Sequence, residues 1–344
     1  MVTIRDVAAQ AGVSVSTVSH VINGTRFVEP GTEARVRAAI SDLKYRPNSI
    51  ARSLRRRSTA TIGLLVPDNS NPFFAEVARL IEDIGFDQGY SVILCNSDNL
   101  PAREAAYIDV LLSKQVDGLL TISAGIHPDF LKTVFNAQVP VVVVDRAADE
   151  WPVDQVLVDN ERGGYQAGVY LTDLGHREIG FIAGPRVATP SARRLVGFRH
   201  ALAERDIALP DTAITSGDFQ YQGGAAAIRT LLERHPNLTA VFATNDQMAL
   251  GAINTLQRMG RSVPDDISII GFDNIPQSSA FYPALTTMAQ PVEALARESV
   301  RLLIERITGS TTAPTCIMLD ATLIERESCA VVPSVHPSHE RSYQ

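Results

Sequence analysis

A chain of 344 residues with 45% hydrophobic and 20% charged side chains has the composition of a folded globular protein, too long for one small core and of a length for two or three domains. Its net charge of −7 is uneven: residues 1–60 carry ten Lys or Arg against four Asp or Glu, a net of +6, which leaves −13 for residues 61–344. A basic head on an acidic body excludes a uniformly basic polyanion binder and points to a head that alone meets a polyanion.

The apolar runs, such as Val139-Pro140-Val141-Val142-Val143-Val144, fall far short of the ~20 residues of a membrane span, and no charged-then-apolar leader opens the chain. A cytoplasmic protein without a membrane partner is expected. Cys95, Cys316 and Cys329 stand in no metal-ligand spacing and cannot all pair, which fits reduced cysteines, and neither metal nor cofactor is expected.

In chain order, the head reads as three short helices. Ile4, Val7, Ala8 and Ala11 recur at the spacing of one buried helical face, behind a Thr3/Asp6 pair resembling a capping box, and Gly12 stops the helix. Ser14 can cap a second helix over 15–22 with Val18 and Ile22 inward, Ser16, Thr17, His20 and Asn23 on the other side, and Asn23-Gly24 as its close. A third helix is expected over 32–43, ending before Pro47. Two short helices joined by a Gly-containing turn form a helix-turn-helix unit, whose second helix enters the major groove; the same spacing also suits a small helical bundle with a solvated polar face.

The full string TIRDVAAQAGVSVSTVSHVINGTRFV closely resembles the DNA-binding head of the LacI/GalR family of bacterial repressors, the purine-repressor branch in particular. This resemblance covers residues 1–57 and implies DNA contacts from Ser14, Val15, Ser16, Thr17, His20, Asn23 and Arg26. Val15 stands where the family commonly has a polar residue, so it would meet a thymine methyl or nothing. Residues 1–47 are then the helix-turn-helix domain. In the following segment, 48–57, Leu54 sits among Arg52, Arg55, Arg56 and Arg57. An arginine run is ordinarily a solvated linker, but a leucine within it has little reason to be exposed. The family likeness implies a hinge helix that folds on operator DNA, with Leu54 and its symmetry mate wedged into a minor-groove step and Arg52 and Arg55 on phosphates.

From Thr61 the pattern alternates between apolar strand-like runs (62–66, 91–94, 118–122, 141–144, 179–182, 240–243 and 267–270) and helical stretches (73–88, 103–114, 162–174, 192–205 and 247–259). Continuous apolar strands separated by helices imply an α/β body of buried parallel sheets. Two successive doubly wound units are expected, at about 61–160 and 161–290. A helix over 293–307 and a strand-like run over 315–323 would return through 291–322 to the first lobe and through 323–330 to the second. Residues 333–344 are polar, contain proline and are expected to be disordered.

Parallel α/β sheets bind ligands at the carboxyl ends of their strands. Asn71, Phe73 and Phe74 follow the first run, Asp145 and Arg146 the fourth, Asn245 the stretch TAVFAT and Asp273 the stretch ISIIGF; Arg194, Phe219 and Gln290 come from neighbouring elements. Carboxylates, amides and guanidinium groups can span neighbouring hydroxyls, and aromatic rings suit the C–H face of a sugar. Taken singly, Asp145, Asn245 and Asp273 could equally cap the helices after them, and Phe73 and Phe74 could be core. The body resembles the effector domain of the same repressor family and the periplasmic sugar-binding proteins. All ten positions match those that hold the sugar in ribose-binding proteins, which implies a two-lobed periplasmic-binding-protein-like body with a ribose-like effector. Purine-responsive relatives tend to carry an aromatic where Arg146 stands. Enzyme motifs are absent: there is no G-x-G-x-x-G after a strand, no glycine before Lys44, Lys114 or Lys132, no H-E-x-x-H and no G-x-S-x-G, while His127, His176, His200 and His235 read as solvated or capping residues. The expected protein is a homodimeric, operator-binding repressor of a sugar catabolic operon with a pentose, D-ribose foremost, as inducer; the alternative is the same DNA-binding role with a hexose, a nucleoside or a purine corepressor as effector.

Overall fold

The computed structural model describes residues 2–45, 58–122, 128–147, 151–185 and 188–332, in two compact units that divide after Thr59. The segment 48–57 with Arg52, Leu54 and Arg55, together with His127 and the tail 333–344, lies outside the described residues.

The head has helices α1 (Ile4–Ala11), α2 (Val15–Asn23) and α3 (Pro30–Asp42) around Val7, Ala8, Ala11, Val18, Val21, Val36 and Ala39. The Asp6 carboxylate accepts both the N–H and the hydroxyl of Thr3 at 2.8 Å, bonds that hold its carboxyl below the ordinary range. Gly12 and Gly24 end α1 and α2 in the left-handed conformation, which costs glycine least. In α2 it is Val21 that is buried, while Ile22, expected inward, is half-buried. Both lie on one helical stripe, and spacing alone does not say which of i+3 and i+4 meets the centre of the core.

The body is built of two six-stranded sheets. The first half runs β1 (Thr61–Val66), α4 (Pro72–Asp87), β2 (Ser91–Asn96), α5 (Pro101–Ser113), β3 (Gly118–Thr121), α6 (Pro128–Asn136), β4 (Val141–Val144) and β5 (Asp154–Val158). After α7 (Asn160–Asp173) come β6 (Ile179–Ala183), α8 (Thr189–Ala203), β7 (Ile214–Ser216), α9 (Tyr221–Arg234), β8 (Ala240–Ala243), α10 (Asp246–Arg258), β9 (Ser268–Asp273), α11 (Pro276–Ala280) and β10 (Thr286–Ala289). The chain then returns through α12 (Val292–Ile307), β11 (Cys316–Leu319) and β12 (Thr322–Ile324). The strand orders are β11-β5-β4-β3-β1-β2 and β12-β10-β9-β8-β6-β7, parallel throughout except for β12 against β10. Four-residue strands such as Val141–Val144 are buried on both faces, as their unbroken apolar runs require.

The strand-like run 315–323 is divided. Leu319 makes the last ladder contact of the first sheet, accepting from the Asp159 N–H at 2.8 Å, and Thr322 already pairs with Ala289 in the second. The change of sheet therefore falls at Asp320–Ala321, ahead of the expected boundary after 322. A run of apolar and polar residues does not reveal which neighbour each half pairs with. His176 also departs from a solvated role: it is buried, with Nδ1 3.0 Å from Thr239 Oγ1 and Nε2 3.1 Å from the Ala330 carbonyl.

Arg306 anchors the return path. Its Nε and Nη2 donate to the buried Asp154 carboxylate at 2.6 and 2.9 Å, and the Thr315 N–H donates to the same group at 2.8 Å. Burial opposes ionisation of Asp154, but these donors outweigh it and hold its carboxyl below the ordinary range. The folded-state value is depressed, so the stability it contributes is present above about pH 4 and is lost as pH falls through the folded value. Asp154→Ala leaves Arg306 without its carboxylate and should lower body stability by about 3 kcal/mol in thermal or urea unfolding at neutral pH, with the gap to wild type narrowing in acid.

Candidate functional site

The head presents the side chains expected to meet DNA on α2 and just beyond it. Ser14 caps α2 by accepting the Thr17 N–H at 3.1 Å, and its hydroxyl lies 2.9 Å from that of Thr17. Val15 and Ser16 are exposed at the start of the helix, where a short apolar side chain can reach a base methyl. His20 Nδ1 is 2.9 Å from Thr25 Oγ1, which leaves Nε2 as the ring's other hydrogen-bonding atom. Asn23 is turned back: its Nδ2 donates to the Ser19 carbonyl at 2.7 Å, so its amide is partly spent on its own helix. Arg26 is exposed beyond the helix end. Thr25, which orients His20, carried no signal in the sequence.

In the body, the ten expected ligand residues come from the carboxyl-end loops of both sheets or from the helices beside them. Asn71 is the N-cap of α4, accepting the Phe73 N–H at 3.0 Å, and this sets Phe73 and Phe74 edge to face with centroids 5.0 Å apart. Asp145 and Arg146 follow β4 directly; the Arg146 guanidinium lies 5.9 Å from the Phe74 ring centre, and its Nη1 donates to Asn99 Oδ1 at 3.2 Å. In the second lobe Asn245 caps α10 and its Nδ2 holds the Phe219 carbonyl at 2.9 Å. Asp273 ends β9 and accepts Gln290 Nε2 at 2.7 Å. Of the three residues with a capping alternative, Asn245 is a cap and also stands at the cleft, as does Asn71, while among the described residues Asp145 and Asp273 cap no helix.

Arg194 lies at the centre of the second lobe's contribution. It is 3% exposed, its guanidinium stacks 3.5 Å over the Phe272 ring, and it donates to Asn160 Oδ1 at 2.8 Å and to the Thr244 carbonyl at 2.5 Å, with Asp273 at 4.0 Å. Close packing of α7 on α8 places it: a Cβ at Gly164 would come within 2.0 Å of the Arg194 carbonyl oxygen, and one at Gly197 within 1.8 Å of that of Glu161. Asn160 and Thr244 are site residues that sequence reasoning missed, because neither belongs to a recognisable pattern.

Charge and backbone mark the same place. Burial raises the carboxyls of Asp145 and Asp273 above the ordinary range, Asp273 well above it, and lowers the guanidiniums of Arg146 and Arg194. Asp145 and Arg194, on different lobes, each favour the ionised form of the other, and one cavity is lined both by Asp145 of the first lobe and by Asn160, Thr189 and Pro190 of the second, so the two edges face one another across a cleft. Asp246 beside them is pushed up to about 6 by burial, against hydrogen bonds from Ser278, Thr287 and the Ile275 N–H. Asp145, Phe219 and Asp273 hold φ of 66°, 68° and 121°, conformations that cost non-glycine residues about 1–3 kcal/mol each and that also occur at other described residues such as Gln115 and Asp206. Asp145 Oδ1, Arg146 Nε and Gln290 Oε1 are buried without a hydrogen-bond partner among the described residues. One donor and two acceptors left in that state match a ligand rich in hydroxyls, each able to donate and to accept.

A helix-turn-helix head and a two-lobed α/β body with a charged cleft define a ligand-responsive DNA-binding regulator. The chain matches the model of bacterial regulatory proteins of the lacI family over residues 3–48, and that of periplasmic binding proteins and the sugar-binding domain of the LacI family over residues 59–327. It is 42% identical over 335 residues to the HTH-type transcriptional repressor PurR of Pectobacterium carotovorum, covering 97% of this chain and 98% of that protein. Among solved structures, a LacI family regulator of Enterococcus faecium with bound ribose is 35% identical with a TM-score of 0.73, covering 79% of this chain and 100% of its own. The lac repressor dimer bound to operator and the anti-inducer ONPF is 29% identical with a TM-score of 0.86, covering 96% and 99%. The chain belongs to the LacI family of DNA-binding transcriptional repressors.

Phe219 has a seat that can be removed. A Cβ at Gly184 would lie 2.2 Å from its ring, so the ring occupies the space glycine leaves. Gly184→Ala should push the ring off this position, seen as a moved side chain in a crystal structure; an unmoved ring would mean that another contact sets it.

Proposed function

We propose that this repressor is controlled by a pentose, D-ribose foremost, bound between the lobes of the body, and that it acts as a homodimer on the operator of a sugar catabolic operon. The observation that supports the reading is that ten residues scattered from Asn71 to Gln290 gather on the carboxyl-end loops and adjoining helices of the two sheets, and that Asp145 Oδ1, Arg146 Nε and Gln290 Oε1 among them are buried without a partner among the described residues. The E. faecium relative with bound ribose supports the same ligand class. Hydroxyls of the sugar meet Asp145, Arg146, Arg194, Asn245, Asp273 and Gln290, while Phe73, Phe74 and Phe219 take its C–H faces. The bound sugar bridges the lobes and favours one orientation of each; in the dimer that changes the spacing of the two 48–57 segments, and operator affinity falls. The coupling is reciprocal, so operator must weaken sugar binding by the factor by which sugar weakens operator binding. A purine corepressor is the second reading, favoured by 42% identity to PurR, and Arg146 in place of an aromatic argues against it.

Calorimetry on the purified protein with ribose, other pentoses, hexoses and purine bases, repeated with a palindromic operator, separates the two readings. Selective ribose binding weakened by operator is the expected result; binding of hypoxanthine or guanine without ribose overturns it. Asp273→Ala should abolish the sugar response and leave operator binding of the sugar-free protein intact. For the head, Leu54→Ala should cut operator affinity at least about tenfold with the thermal midpoint unchanged, as the loss of a minor-groove wedge predicts. Undiminished binding in a gel-shift titration would rule the wedge out.

A further inference from the structure

The outer lip of the cleft carries a contact that the pocket residues do not account for. Asp68 stands on the turn after β1, three residues before Asn71, and Gln220 follows Phe219 as the N-cap of α9. Gln220 Nε2 donates to Asp68 Oδ2 at 2.5 Å, joining the second lobe to the first between residues 152 apart in the chain. This bond lies on the loops that carry the candidate ring-contacting residues of both lobes.

Each partner is fixed within its own lobe. Asp68 Oδ1 accepts the Ser70 N–H at 2.9 Å and the Ser70 hydroxyl at 2.6 Å, which leaves Oδ2 for Gln220, and the adjacent Asn69 N–H is held by Asn96 Oδ1 at the end of β2 at 2.8 Å. On the other side the Gln220 N–H donates to Asp218 Oδ1 at 2.8 Å, and the Phe219 carbonyl is tied to Asn245 at 2.9 Å. With both loops anchored to their own sheets, the bond can persist only while the lobes are together. Gln220 is exposed and Asp68 half-buried, so the bond is made at the solvent-facing lip, and its contribution is that of a surface charge-assisted hydrogen bond.

We propose that Asp68 and Gln220 form a latch across the mouth of the effector cleft: a positioning pair that touches no ligand atom, holds the lobes closed and sets how long the ligand stays. The latch rests on the reading of the cleft as the effector site. The bond must break before the lobes can part and the ligand leave, so its loss speeds release. Gln220→Ala should speed ribose release about twofold to fivefold in stopped-flow measurements. Gln220→Glu sets two carboxylates against each other and should speed release further. Adding Asp68→Asn to Gln220→Glu reverses donor and acceptor: the new amide can still accept from Ser70 while donating to the introduced carboxylate, and release should slow again towards the wild-type rate.

Failure of that rescue, or an unchanged release rate in Gln220→Ala, overturns the latch. Should wild-type protein bind none of the sugars, the sugar reading falls, and the latch is still judged on ligand-free protein by spin-label distances between α4 and α9. Gln220→Glu must then lengthen the mean distance and the added Asp68→Asn restore it; equal distances in all three proteins overturn the proposal.

Discussion

One buried guanidinium organises the effector half of this protein. Arg194 reaches Asn160 where the chain first enters the second lobe, the Thr244 carbonyl just after β8, and Asp273 at the end of β9, with Phe272 beneath its plane. Burying a charge is costly unless it is paired and hydrogen-bonded, and these partners satisfy it from three elements at once. The consequence is a cleft wall whose geometry and electrostatics are one structure. Through Arg194 the crossover residue Asn160 is tied directly to this wall.

That crossover matters because the chain passes between the sheets three times, at 159, 290–291 and 320–321, and these strands of backbone leave bending as the natural relative motion of the lobes. The facing edges hold opposed charges, strained backbone at Asp145, Phe219 and Asp273, and buried polar atoms without partners among the described residues. Strain and unsatisfied polarity at one place are tolerated only where the surrounding fold over-determines them. Here the over-determination is visible: Asn245 holds Phe219, Gln290 holds Asp273, and Gly184 gives the Phe219 ring its seat.

Much of this was legible in the residues. Alternation of apolar runs with helical stretches indicated two parallel sheets, and the positions directly after those runs were where ligand residues had to be sought, because parallel strands all end on one side. The helix-turn-helix was legible from the spacing of Val7, Ala8, Ala11 and Val18 with Ser14 as cap and Gly12 as stop. What was missed has a common character. Asn160, Thr244 and Thr25 act through single contacts with residues distant in sequence or outside any periodic pattern; His176 read as solvated until Thr239 and Ala330 closed over it; and the run 315–323 gave no hint that its halves join different sheets.

By itself the sequence determined the periodicities, the helix caps, the charge division between a basic head and an acidic body, and which chemical groups stand after which strand. These are local properties, set by neighbours within a turn or a strand. The tertiary structure alone decided that Asp145 and Arg194 face each other across a cleft, that Gln220 of one lobe meets Asp68 of the other, and that a carboxylate such as Asp273 is buried deeply enough for its ionisation to be opposed. Burial and charge coupling depend on which distant segments exclude water from a group, and no local pattern encodes that.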